Sequence, residues 1–199
     1  LEPDLVIIYH STNDVDARLV DPAAYRGDNS GARKQWHEPP IRWWERSTLL
    51  RIVGRKLDWG DQVRLRDFVD APTMLEYTGG DRTSTLQQNP PVYFRRNLAN
   101  MIAVAQENGV AVMLATWAHT TGFKDHASKP YYQQAYREQN AIVIELGRSH
   151  DIPVFDFAAL MPADHRYWAD GRHVNEAGAQ LKAELFAQFI DQAGLIPRP

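Results

Sequence analysis

Apolar and polar positions fall into two alternating patterns along this chain. Asp4-Leu5-Val6-Ile7-Ile8-Tyr9, Val110-Ala111-Val112-Met113-Leu114-Ala115 and Ile152-Pro153-Val154-Phe155-Asp156 are short, nearly continuous apolar runs. Such runs read as strands buried on both faces. Between them the apolar spacing becomes helical. From about Tyr93 to Asn108 it places Leu98, Ile102 and Ala105 on one face, with Gly109 at the expected end. A second helix is predicted from Pro130 to about Ser149, with Tyr132, Tyr136, Ile142 and Leu146 available for burial. A third starts after Asn175, a good N-cap, and carries Leu181, Leu185, Phe186 and Phe189 toward Gly194. The order strand, helix, strand, helix, strand, helix predicts an α/β fold, a parallel sheet covered by helices through right-handed crossovers. Ligands of such sheets bind beyond the carboxyl ends of the strands, so the segments after Tyr9, Ala115 and Phe157 are the ones to inspect.

One stretch exceeds this scheme. Residues 16–91 separate the first strand from its crossover helix, where roughly 2–6 residues are usual. Within them, Ile41 to Trp59 reads as one amphipathic helix, with Trp43, Trp44, Leu50, Val53 and Leu57 opposite Arg42, Arg46, Arg51, Arg55 and Lys56. Basic and aromatic residues on such a helix suit a lid or a membrane surface, through Trp43 and Trp44; packing on the domain is the competing reading. Pro39-Pro40, Gly79-Gly80 and Pro90-Pro91 read as turns.

The length of 199 residues, with 44% hydrophobic and 24% charged residues, fits one domain over residues 1–199 with a long insertion at about 16–91. A net charge of -3 gives no electrostatic case for a nucleic-acid partner. The absence of cysteine excludes disulfides, thiolate metal sites and a catalytic thiol, and is compatible with export or the cell envelope without choosing a compartment. No run approaches the roughly 18 apolar residues that span a bilayer, so the chain as given reads as soluble. Because it enters a strand almost at Leu1 without a methionine, the native N-terminus is expected to lie upstream.

Two constellations carry candidate chemistry. Asp170-Gly171-Arg172-His173 stands just before the last helix, and a carboxylate three residues ahead of an imidazole can accept its Nδ1 proton across a tight turn, leaving Nε2 as a base. Alternatively, Asp170 caps a turn beside an ordinary loop histidine. Ser11-Thr12-Asn13-Asp14 follows the first strand, so Asn13 is expected on a loop where its side-chain amide could donate to a developing oxyanion; the plainer alternative is a turn-forming Asn-Asp pair. Seven histidines invite a metal reading, but none forms His-x-x-x-His, and His119, His126 and His165 are scattered; no metal and no cofactor is expected. His119 follows the second strand and is a candidate pocket-lining residue.

Together the two constellations resemble the SGNH (GDSL-type) hydrolases. Asp4-Leu5-Val6-Ile7-Ile8 leading to Asn13-Asp14 is similar to the family's block III, and Asp170-x-x-His173 followed by Asn-Glu-Ala-Gly to its block V. The resemblance implies a three-layer flavodoxin-like α/β fold whose first strands are missing here. It also implies hydrolysis of carboxylic esters through an acyl-serine, with His173 as base, Asp170 orienting it and Asn13 in the oxyanion hole. The substrate class it implies is a small-molecule, lipid or carbohydrate ester. Ser11 stands where the family usually has glycine, and Val174 where proline is common. The family's block I serine and block II glycine lie ahead of block III, and no Gly-Asp-Ser or Gly-x-Ser-x-Gly occurs in these residues. Ser11 is therefore weighed as a relocated nucleophile, against a small residue filling the glycine site. Two functional readings result: a serine ester hydrolase without its nucleophile segment, or a non-catalytic binding or assembly module that keeps the fold. The first strand, deprived of its neighbour, is expected to make the chain a homo-oligomer.

Overall fold

The computed structural model describes residues 3–28, 41–57, 59 and 81–196. The three apolar runs form strands β1 (Leu5–Ile8), β2 (Ala111–Ala115) and β3 (Val154–Phe155). They pair in parallel in the order β1-β2-β3, with Leu5 opposite Ala111 and Leu114 opposite Val154. Seven α-helices accompany them among the described residues: α1 (Thr12–Arg18), α2 (Thr48–Lys56), α3 (Arg82–Gln88), α4 (Val92–Glu107), α5 (Pro130–Ser149), α6 (Phe157–Leu160) and α7 (Glu176–Gln192).

The alternation of side chains across the strands builds three layers. Val6, Ile8, Val112, Leu114 and Val154 face α4 and α5, packing on Phe94, Leu98, Ile102, Val143 and Leu146. Leu5, Met113, Ala115 and Phe155 face the other way, onto Phe157, Met161, Trp168 and the Leu181, Leu185, Phe186 and Phe189 side of α7. A third cluster joins Val15 and Leu19 of α1, Leu86 of α3 and Tyr132, Ala135 and Tyr136 of α5.

The predicted helices 93–108, 130–149 and the one after Asn175 match α4, α5 and α7 to within a residue or two. Three expectations change. The first strand is not buried on both faces: among the described residues it lies at the edge of the sheet, and Ile7 is 41% exposed. Ile41 to Trp59 is not one helix: a 3-10 turn at Trp43–Arg46 gives way at extended Ser47, whose hydroxyl accepts the Leu50 N–H and starts α2 afresh. Asn13 is not on a loop, because α1 begins immediately after Ser11. Pro39-Pro40 and Gly79-Gly80 lie outside the described residues, while Pro90-Pro91 leads into α4.

Inside the 16–91 stretch, the α1 and α3 segments lock onto α5 through buried Arg18. Its guanidinium donates to the Asn89 and Leu86 carbonyls and pairs with Glu138 at 2.6 Å. Asn89 returns two bonds, to the Arg18 and Val20 carbonyls. This holds α1 over the carboxyl end of the sheet.

Candidate active site

The segment Trp168–Val174 is a closed turn. Trp168 and Val174 form an antiparallel bridge, the Ala169 N–H donates to the His173 carbonyl at 2.8 Å, and the Trp168 indole donates to Pro162 O. Asp170 organises its interior: Oδ1 accepts the backbone N–H of Arg172 (2.7 Å) and of His173 (2.8 Å), leaving Oδ2 for His173 Nδ1, also at 2.8 Å. Burial pushes the Asp170 carboxyl up, but the bonds from the His173 ring and the two amides outweigh it and hold the group below the usual carboxylate value. Asp170 is thus ionised at neutral pH and fixes the proton on Nδ1. His173 is exposed, and among the described residues its Nε2 has no hydrogen-bond partner.

Two glycines make this turn sterically feasible. Gly171 donates to Asp125 Oδ2 at 2.6 Å and accepts from the Thr120 N–H, which ties the turn to the segment after β2. At Gly178, in the first turn of α7, a β-carbon would lie 1.9 Å from the Tyr167 carbonyl oxygen. Asn175 caps the helix through Oδ1 on the Gly178 N–H (3.0 Å), and its amide donates to Arg166 O at 2.9 Å. The spacing Asp-Gly-x-His-x-Asn-x-x-Gly is therefore one folded unit.

The other candidates sit on the entry to α1. Asn13 is exposed in its first turn, and among the described residues its side chain makes no hydrogen bond. Ser11 occupies the N-cap position without capping: it is 1% exposed, and its hydroxyl donates to Gln139 on α5 instead. No hydrogen bond joins Ser11 to His173. His10, just before the cap, pairs with Asp14, and that bond raises the imidazole above its ordinary value against a smaller opposing effect of burial.

Asp170 and His173 are in direct contact, and among the described residues no hydrogen bond joins Asn13 to either. What relates them is α5. The Tyr136 hydroxyl is 2.9 Å from Thr12 Oγ1, next to Asn13, while Tyr132 donates to Asp16. Burial pushes Tyr136 up to about 12, partly offset by the Thr12 bond and by the positive charge of Arg172, the neighbour of His173. Both site segments thus bear on one pair of tyrosines. His119 also packs against Tyr136, tilted by 43° with ring centroids 4.7 Å apart, and burial and the Arg137 charge lower its pKa. Among the described residues no cluster of three or more His, Asp or Glu side chains could hold a metal.

A family model of the GDSL-like lipase/acylhydrolase family matches residues 1–181, from β1 through the Asp170–His173 turn into α7. The chain belongs to that family. Among solved structures, this GDSL-like chain is similar to a GDSL-like lipase from Bacteroides thetaiotaomicron, at 21% identity over 57% of this chain and 60% of that one, with a TM-score of 0.45. It is also similar to a lipase/acylhydrolase from Enterococcus faecalis, at 28% identity over 55% of each chain, with a TM-score of 0.44. The chain thus spans 55–60% of the length of these structures. No curated protein matches it. Membership supports a hydrolase function at the level of the family.

Reading the sequence did not single out Arg172, Asp125, Thr120 or Gln139. Arg172 and Gly171 occupy the two unspecified positions of Asp-x-x-His. The other three carry no local signal, because they act on partners 46 to 128 residues away.

Proposed function

We propose that this chain carries the acid–base pair and one oxyanion donor of an enzyme that hydrolyses carboxylic esters through an acyl-serine intermediate. The observation that carries the reading is the 2.8 Å contact of His173 Nδ1 with an ionised Asp170, which leaves Nε2 open to solvent. In this reading a serine Oγ attacks the ester carbonyl and gives its proton to Nε2, and Asp170 stabilises the imidazolium. The Asn13 amide donates to the oxyanion of the tetrahedral intermediate. His173 then returns the proton to the leaving alcohol, and water attacks the acyl-serine by the same route. Small-molecule, lipid and carbohydrate esters all fit this chemistry. Among the described residues no hydroxyl is bonded to His173, and Ser11 is buried and engaged with Gln139. The serine therefore comes, on this reading, from another segment of the protein.

The test is turnover of a p-nitrophenyl ester by the full gene product. His173→Ala and Asp170→Ala are expected to lower kcat by about 10⁴-fold while leaving the far-UV spectrum unchanged. Asn13→Ala is expected to lower kcat by about 10²–10³-fold with little change in KM, since the oxyanion exists only near the transition state. Near-normal turnover by His173→Ala sinks the assignment.

The engagement of Ser11 favours a second reading, a binding or assembly module. It predicts that a fluorophosphonate labels no serine anywhere in the full gene product; stoichiometric labelling of one serine decides for the hydrolase.

A further inference from the structure

The turn Trp43–Arg46 and helix α2 form a surface that the ester chemistry does not use. Residues 41–57 hold five cations and one carboxylate in a chain whose net charge is -3. The carboxylate, Glu45, is buried and accepts the Arg42 N–H at 2.7 Å, and Arg55 and Lys56 are exposed. The apolar side chains here are also turned outward: Trp43 is 79% exposed, Leu49 69% and Ile52 53%. Trp44, by contrast, packs edge-on against Trp59, with ring centroids 5.7 Å apart.

On α2 the positions 49, 52 and 56 lie along one stripe, with Arg55 beside it. Leu49, Ile52, Arg55 and Lys56 are all exposed. The interior side of the helix is occupied by Gly54, which is buried, and by Leu50 and Val53. An outward face that alternates large apolar groups with cations is a poor match for water alone. It is also a poor match for an apolar protein groove, which would strand the charges. It fits a headgroup boundary, where apolar side chains enter the acyl region and long cationic stems place their charges among lipid phosphates.

We infer that Trp43, Leu49 and Ile52, framed by Arg55 and Lys56, dock this protein on an anionic membrane surface. The contact is peripheral: among the described residues no helix is long and apolar enough to cross a membrane. It is independent of the ester-hydrolase reading, because none of these residues takes part in the Asp170–His173 turn.

The experiment is vesicle co-sedimentation of the 199-residue chain, together with quenching of tryptophan fluorescence by bromine-labelled acyl chains. Vesicles of phosphatidylcholine with about a third phosphatidylglycerol are expected to bind at least about tenfold more strongly than pure phosphatidylcholine, and high salt to remove the difference. Leu49→Ser with Ile52→Ser is expected to weaken partitioning by about tenfold or more. Arg55→Gln with Lys56→Gln should do the same on anionic vesicles only. Trp43→Phe should remove most of the quenching. Val92→Ser, at an exposed apolar site at the start of α4, should change nothing. Equal binding to both vesicle types, loss of binding in Val92→Ser, or a change of molecular mass in Leu49→Ser/Ile52→Ser without lipid would each overturn the inference, the last by making this face a contact between copies. Quenching in the unmodified chain needs no variant, so its absence is also decisive.

Discussion

At Gly178 the backbone of α7 runs so close to the Tyr167 carbonyl that a methyl group has nowhere to go, and the obstacle is main chain rather than a movable side chain. Gly171 is crowded differently. A β-carbon there would meet Asp125 Oδ1 at 2.5 Å and Ala127 Cβ at 2.6 Å; the carboxylate can swing away at the cost of its bond to the Gly171 N–H, while Ala127 moves only with the backbone of its short turn. Gly178→Ala is therefore expected to destabilise the fold by about 3 kcal/mol and Gly171→Ala by about 1–2 kcal/mol. Urea unfolding of the two variants checks the order, and equal midpoints would refute it. The same residues show why the dyad was legible in sequence. Asp170 and His173 meet inside a turn of a few residues, so their spacing alone encodes their contact. Ser11's partner Gln139 was not legible, since the pairing depends on where α5 lands against α1.

Helix α1 is short and polar, Thr-Asn-Asp-Val-Asp-Ala-Arg, and nothing in its apolar spacing announces a helix, so the sequence alone puts Asn13 on a loop. It is secured from outside, by Arg18 at one end and by the His10–Asp14 pair at the other. The hydrogen bond to Asp14 raises His10, so protonation of this imidazole favours the folded state. Its contribution is fully present below the unfolded value of about 6.5 and is lost as pH rises through the raised folded value. With 47% of the imidazole exposed, screening keeps it below about 1 kcal/mol. A ¹H–¹⁵N titration should show His10 titrating above His119, whose pKa burial and Arg137 lower. His10→Ala should flatten the stability slope in the window that opens at about pH 6.5 and closes at the raised folded value; an unchanged slope would show that the pair does not form in solution. The amphipathic stretch at Ile41–Trp59 failed for a complementary reason: its periodicity runs through Ser47, and serine signals a helix start only where the backbone turns extended.

Across the whole molecule, β1 has β2 on one side and no strand among the described residues on the other. Open grooves of 1160 and 520 Å³ run beside it, lined by Val6, Ile8, Leu98, Met101 and Val104. An exposed strand edge beside apolar grooves recruits other chains. The 199-residue chain is therefore expected to associate at micromolar concentration, and Ile7→Lys to return it to monomer. Sedimentation equilibrium is the measurement, and a monomer whose Leu5 and Ile7 amides, which face the open edge, exchange slowly would contradict it. The layers, strand order and long helices were readable from apolar periodicity because each packs a continuous face. The open edge was anticipated from the family resemblance alone.

The pairing of Leu5 with Ala111 has one more consequence, which belongs to time rather than to space. About a hundred residues of chain must be drawn into a loop before β1 can meet β2, whereas β2 and β3 pair across about forty, so the closure that joins β1 to the sheet is the more costly one. Helices α4 and α5, whose bonds are local, have no such wait. Refolding should therefore show helical signal gained well before the sheet amides are protected, with the sheet following on the slower scale of non-local pairing. During synthesis Val6, Ile7 and Ile8 leave the ribosome long before β2 exists, so β1 waits for its partner strand while the roughly one hundred residues between them are made.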